Sequence, residues 1–192
     1  LYKFLSSINQ MTSFNRIRNI SKKFQIPKSS ENIIQLVQNA HQQMLSNKDV
    51  VVTTPLQKHH QYSEKYNCNL FLKREDMQTV RSFKIRGAFN KIINLQKEEK
   101  EKGIVCASAG NHAQGFAYSC RKLGYNGLIY VPEITPLQKI NRIKYYGEDS
   151  INIKLFGNNF NECLNKALEV SNEENRLFIH PYDDEDIING QS

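Results

Sequence analysis

The amino-acid sequence predicts an α/β protein, a parallel sheet flanked by helices, and three observations carry that expectation. Short apolar runs recur at 70–72, 104–107, 128–131, 151–155 and 177–179, each too short for a helix and long enough for a buried strand. Between them, at 84–97, 112–123, 136–146 and 160–172, apolar residues fall at helical spacing. Strand and helix therefore alternate, and a helix crossing over between two strands leaves those strands parallel. Ahead of these elements, Ser30 followed by Glu31, Ile33, Ile34, Leu36, Val37, Ala40 and Met44 reads as a capped amphipathic helix.

The 192 residues are 39% hydrophobic, enough for one good core, or for one domain and part of another. The net charge of +7 suggests a nucleic-acid partner until it is located along the chain. Lys3, Arg16, Arg18, Lys22, Lys23 and Lys28 precede the first acid, whereas the rest of the chain holds 20 bases against 19 acids. No basic stripe for a nucleic acid results. The cysteines Cys68, Cys106, Cys120 and Cys163 are never closer than 14 positions, so no C-x-x-C pair exists for zinc or redox work. Cys106 and Cys120 sit in apolar segments and read as buried inert thiols, which implies a reducing compartment. No apolar run approaches the roughly 18 residues of a membrane span.

Residues 1–29 form a basic, acid-free arm in which Leu1, Phe4, Leu5, Ile8 and Met11 recur at helical spacing. That is the composition of an organelle transit peptide, with a mitochondrial destination expected, and an ordinary disordered tail is the other reading. Leu1 is not an initiator, so either the chain begins inside a longer frame or translation starts at Met11.

In open parallel sheets, ligands bind beyond the carboxyl ends of the strands, which directs attention to the residues after Leu72 and after Ala107. The first stretch runs Lys73-Arg74-Glu75-Asp76-Met77-Gln78 and then Ser82-Phe83-Lys84-Ile85-Arg86-Gly87-Ala88. Lys84 falls in the first turn of a helix, where backbone N–H groups and the helix dipole disfavour a cation. A neutral amine is the form that attacks an aldehyde carbon. Taken alone, Lys84 reads as a solvated lysine, as most lysines at a helix start are.

The second stretch is Ser108-Ala109-Gly110-Asn111-His112-Ala113-Gln114-Gly115. Small residues at a strand-to-helix turn let the backbone approach a ligand, and its N–H groups suit a carboxylate or phosphate. Asn111 can direct an amide at a ring substituent. The same residues also fit a tight turn with Asn111 capping a helix that begins at His112. His112 itself reads as a first-turn helix residue rather than a general base.

Together, SFKIRGA and SAGNHAQG, in this order and at this separation, resemble the threonine dehydratase family of fold-type II pyridoxal-phosphate enzymes. The resemblance extends from about Val50 to the end and takes in TPLQ at 54–57, FGNNF at 156–160 and HPYDDEDIINGQ at 180–191. It implies a tryptophan synthase β-like fold and pyridoxal 5'-phosphate as cofactor. It implies that Lys84 holds the cofactor aldehyde and later removes the substrate's α-proton, while Asn111 bonds the ring oxygen and Phe83 packs on the pyridine ring. The turn of Ser108, Ala109, Gly110 and Asn111, with His112 beside it, then receives the carboxylate of a small amino-acid substrate, threonine or serine. A homo-oligomer is implied for the complete enzyme. The domains implied are 30–80 as the first elements of a larger domain, 81–181 as a smaller α/β domain, and 182–192 as the start of the return.

Relatives that make threonine or cysteine tend to have an acid after the lysine, where Ile85 stands here. Serine racemases of the family usually show Ser-Ser-Gly-Asn, and Ala109 occupies the place of their second serine, which favours elimination over racemisation. Arg74 to Val80 looks like the isoleucine-pathway enzymes, although Thr79 stands where those usually have Pro, and FKIRGAFNK and PYDD look like the catabolic branch. The family's glycine-rich phosphate cup and its partner for the pyridine nitrogen have no counterpart in this sequence. An incomplete enzyme is therefore expected, with an inactive remnant or a serine racemase-like enzyme as the alternatives.

Overall fold

A computed structural model describes residues 30–192, so the expectations for the basic arm lie outside the described residues. The chain divides into two compact units, Leu1–Leu36 and Val37–Ser192, and the first is represented only by the opening turns of helix α1 (Ser30–Ser46). There follow β1 (Leu56–Lys58), α2 (His60–Lys65), β2 (Phe71–Lys73) and a 3-10 turn at Glu75–Met77. Next come α3 (Lys84–Ile93), α4 (Lys97–Lys102), β3 (Ile104–Ala107), α5 (Asn111–Leu123) and β4 (Gly127–Val131). The chain continues through α6 (Leu137–Gly147), a second 3-10 turn at Glu148–Ser150, β5 (Ile151–Leu155), α7 (Phe160–Glu173), β6 (Leu177–Phe178) and α8 (Glu185–Gln191).

The expected parallel sheet is present. Its four strands lie in the order β5-β4-β3-β6, all parallel. Successive side chains of a strand point to opposite faces, and here both faces are buried. Ile104, Cys106, Ile129 and Val131 enter the core built with Phe89 of α3, Ala113 and Phe116 of α5 and Ile143 of α6. Val105, Ala107, Leu128 and Tyr130 enter a second core with Cys163, Ala167 and Val170 of α7. Burying each large aliphatic side chain contributes about 1.5–3 kcal/mol. Cys106 and Cys120 are buried free thiols, as their apolar surroundings suggested.

Three expectations need correction. The run 70–72 is not a strand of the parallel sheet. β2 pairs antiparallel with β1, Leu56 facing Lys73, in a separate two-stranded unit exposed throughout. Its partner Leu56-Gln57-Lys58 has no apolar run, so nothing in the pattern announced the pairing. The helical segment 84–97 is two helices, because a capping box between Gln96 and Glu99 starts α4 afresh. Helix α5 begins at Asn111 with Gly110 as its N-cap, so Asn111 is not the cap.

Helix α8 lies across α3 at a crossing too close for side chains. A Cβ on Gly190 would stand 2.7 Å from the Arg86 carbonyl oxygen and 2.9 Å from Gly87 Cα. Residues 182–192 are thereby continuous with the rest of Val37–Ser192, which packs as one unit. Gly190→Ala is expected to destabilise the chain by about 1–3 kcal/mol through overpacking against backbone that cannot yield. Urea unfolding measures it, and an unchanged midpoint would mean that the helices part freely.

Candidate active site

The sheet changes direction at β3. From β3 the chain moves outward through β4 to β5, and α7 then carries it back across the opposite face to β6 on the other side of β3. The crossover leaving β3 and the one arriving at β6 thus cover opposite faces, which opens a crevice at the carboxyl ends of these two strands.

On the β3 side, Ser108 to Gly110 form a turn in which the Gly110 N–H donates to Ser108 Oγ at 3.2 Å. No side chain caps α5, and a Cβ on Gly110 would meet nothing within 4 Å. The first-turn amides of α5 are thus open to a ligand, and such amides attract anions. Asn111 is exposed beside them.

On the β6 side, the strand runs on past its last ladder partner, with the Ile179 N–H donating to the Val105 carbonyl at 2.8 Å. Two carbonyls spaced two residues apart then face the helices. Lys84 Nζ donates to the Pro181 carbonyl at 2.8 Å, and His112 Nε2 lies 3.4 Å from the Ile179 carbonyl. A carbonyl only accepts, so His112 carries its proton on Nε2 and leaves Nδ1 unpartnered and buried.

Burial sets the electrostatics. Lys84 opens α3, as its first-turn reading expected, and desolvation pushes it below the ordinary lysine value. Its ammonium lies 5.3 Å from the centre of the Phe83 ring, which is itself half exposed. His112, only 4% exposed, is pushed down to about 3, first by desolvation and then by Lys84 and His180, against the opposing bond to Ile179. It is neutral at neutral pH and acts as a wall of the site, in keeping with its reading as a first-turn helix residue.

A network absent from the sequence reading anchors the base of α3. Arg86 donates through Nε and Nη2 to the two oxygens of Glu75, at 2.8 and 2.6 Å. Thr54 Oγ1 donates to Glu75 at 2.5 Å, and Gln78 bonds both the N–H and the carbonyl of Val52. Desolvation raises the Glu75 pKa, but the bonds from Arg86, Thr54 and Gln78 outweigh it and hold the carboxyl below its usual value. Glu75 and Arg86 are eleven positions apart on different elements, a spacing with no sequence signature. They line a cavity of about 380 Å³ together with Lys73, Phe83, Asn189 and Gln191, and neither Lys84 nor Asn111 reaches it.

The structure therefore docks Lys84 and His112 on the same tail of β6, with the Ser108–Asn111 turn directly preceding His112, whereas Phe83, 5.3 Å from the Lys84 ammonium, lines the cavity of Glu75 and Arg86. A desolvated lysine amine, two helix N-termini without side-chain caps and an unpartnered buried hydroxyl at Ser82 fit an anionic aldehyde cofactor.

Comparison with known proteins agrees with this chemistry. The chain belongs to the family described as pyridoxal-phosphate dependent enzymes, which matches residues 48–192. Over 152 residues it is 51% identical to the biosynthetic L-threonine dehydratase of Bacillus subtilis (strain 168), covering 79% of this chain and 35% of that protein. The processed form of threonine deaminase isoform 2 from Solanum lycopersicum superposes with a TM-score of 0.76 at 37% identity, covering 84% of this chain and 43% of that one. Maize serine racemase gives a TM-score of 0.75 at 29% identity, covering 82% and 46%. The chain spans about a third of the length of the Bacillus subtilis dehydratase and a little under half of the two solved chains. The family match begins at residue 48, beyond the basic arm, and the Bacillus subtilis dehydratase is bacterial, so a mitochondrial destination finds no support in either. Among the described residues no helix is long and apolar enough to cross a membrane.

Because the folded pKa of His112 lies below its ordinary 6.5, folding excludes a proton. The stability contributed is fully present above about 6.5 and is lost as the pH falls towards 3. Between pH 6.5 and 5, the chain is expected to lose up to about 1.4 kcal/mol per pH unit more than His112→Gln does. Parallel curves from urea unfolding would contradict this.

Proposed function

We propose that these residues are the lysine-bearing part of a threonine dehydratase, which converts L-threonine or L-serine to a 2-oxo acid and ammonia. The observation that carries the reading is the seating of Lys84 Nζ on Pro181 at the reversal of strand order, beside the open amides of α5. Relatives described as biosynthetic threonine dehydratases support threonine as substrate and isoleucine biosynthesis as the setting.

Bound pyridoxal phosphate supplies the electron sink that makes an α-proton of an amino acid acidic. Lys84 would hold its aldehyde carbon, and the freed Nζ would be the base for the α-proton. Desolvation favours the neutral amine that both tasks need. The Ser108 to Asn111 turn, with His112 behind it, would receive the substrate carboxylate through its amides, and Asn111 and Phe83 would help to hold the cofactor. Departure of the β-hydroxyl as water and hydrolysis of the resulting enamine yield 2-oxobutanoate and ammonia. The phosphate cup, the partner of the ring nitrogen and a homo-oligomeric interface are assigned to the remainder of the protein, as is the bulk of the larger domain to which 30–80 and 182–192 contribute. Charge-assisted bonds in such a cup are worth roughly 1.5–3 kcal/mol each, so this chain by itself is expected to hold the cofactor weakly.

A serine racemase reading is less well supported, because the Ala109 methyl cannot carry the proton that a second base must return. An inactive remnant is also less well supported, because the lysine, the turn and its amides are all in place. Joined to the carboxyl-terminal remainder of the Bacillus subtilis dehydratase, the chain is expected to release 2-oxobutanoate from threonine. Lys84→Ala is expected to lower that rate by 10²-fold or more, the scale of a lost general base. Undiminished turnover in Lys84→Ala would overturn the assignment.

A further inference from the structure

Helix α3 starts with Lys84 and carries Gly87 and Lys91 at i+3 and i+7, which places all three on one face. That face is applied to the segment 181–191 along its length. Lys84 Nζ meets the Pro181 carbonyl at 2.8 Å, and a Cβ on Gly87 would stand 2.7 Å from the Ile187 carbonyl. At the far end Lys91 Nζ lies 3.0 Å from both Asp184 Oδ2 and Asp186 Oδ2. Asn90 Nδ2 adds a bond to the Asp186 carbonyl at 2.8 Å.

Asp184 divides its two oxygens between separate tasks. Oδ1 accepts from the Asp186 and Ile187 N–H groups at 2.9 and 3.1 Å and caps α8, which leaves Oδ2 for Lys91. Lys91 and Asp184 are each only 17% exposed at the side chain, so solvent screens their pair little. Only two residues separate Pro181 from Asp184, a tether too short to let one move far without the other.

We propose that Lys91 is a positioning residue for Lys84, clamping Asp184 and Asp186 to α3 so that the Pro181 carbonyl stays where Lys84 Nζ docks. Without the clamp the 181–186 segment lifts, water reaches Lys84, and its amine is no longer held in one attacking position. The inference rests on the reading of Lys84 as the cofactor lysine, and the experiment separates the two.

The purified 192-residue chain is incubated with pyridoxal phosphate and reduced with borohydride, whose hydride fixes the carbon–nitrogen link, and labelled lysines are quantified by peptide mass spectrometry. In the unsubstituted chain Lys84 is expected to label faster than the exposed Lys154. Lys91→Met should slow Lys84 labelling by roughly threefold to tenfold, the range of coupling within one ion-pair network, and leave Lys154 unchanged. Lys91→Arg should restore most of the rate, and Asp186→Asn, which spares the α8 cap, should give a smaller loss of the same sign. If Lys91→Met fails to fold, Asp186→Asn decides. Equal Lys84 labelling in the clamp variants, or a loss that arginine does not rescue, overturns the positioning role. Lys84 labelling no faster than Lys154 in the unsubstituted chain overturns the cofactor-lysine reading and the inference with it.

Discussion

The site depends on one topological constraint, the reversal of strand order at β3. Because β6 returns to the side of β3 away from β4, the carboxyl ends of these two strands have helices on opposite faces and no common loop between them. The tail of β6 fills part of that opening with extended backbone. Its Ile179 and Pro181 carbonyls, two residues apart, face the same way and receive one ring nitrogen from α5 and one amine from α3. Lys84 and His112 are fixed to this tail, and Ser108 to Asn111 form the turn after β3.

Charge is distributed around the tail in a consistent way. Arg86 is paired with Glu75, and Lys91 with Asp184 and Asp186. For Lys91, desolvation lowers the pKa, but the two carboxylates outweigh it and keep the side chain cationic. Lys84, two turns away on the same face, has a carbonyl as its hydrogen-bond partner, and burial pushes it the other way. Two lysines of one helix thus take opposite electrostatic roles through their partners alone. Neutral His112 adds no charge to the crevice, so the anion-seeking amides of α5 are not masked by a nearby base.

The strand and helix order of 104–178 was legible because the central strands β3 and β4 are buried on both faces and apolar throughout, while the edge strand β5 alternates Ile151, Ile153 and Leu155 with Asn152 and Lys154. The hairpin was not, since Leu56-Gln57-Lys58 and Phe71-Leu72-Lys73 are exposed and their pairing follows from chain geometry. The Ser108–Asn111 turn was found because it follows the strand-to-helix logic of such sheets, whereas Lys84 was found through its recognisable string alone, since the strand ahead of it, β2, belongs to the exposed hairpin. Their juxtaposition with Pro181 was invisible, since a backbone carbonyl has no sequence signature. The Glu75–Arg86 pair and the Lys91 clamp were missed for a related reason. Charged residues at unremarkable spacings look like solvated surface until the fold buries them. The reason given for a neutral Lys84 was also incomplete, because helix position is readable from sequence and depth of burial is not.

The account stands on Lys84 being a desolvated amine docked at the strand reversal, and its titration tests that most directly. With lysines labelled at the ε-carbon and the Lys84 signal assigned by its absence in Lys84→Arg, a pH titration by nuclear magnetic resonance reads the amine itself. The account predicts a midpoint below the 10.5 of an ordinary lysine. A midpoint at or above 10.5, the behaviour of a solvated or ion-paired lysine, would contradict it.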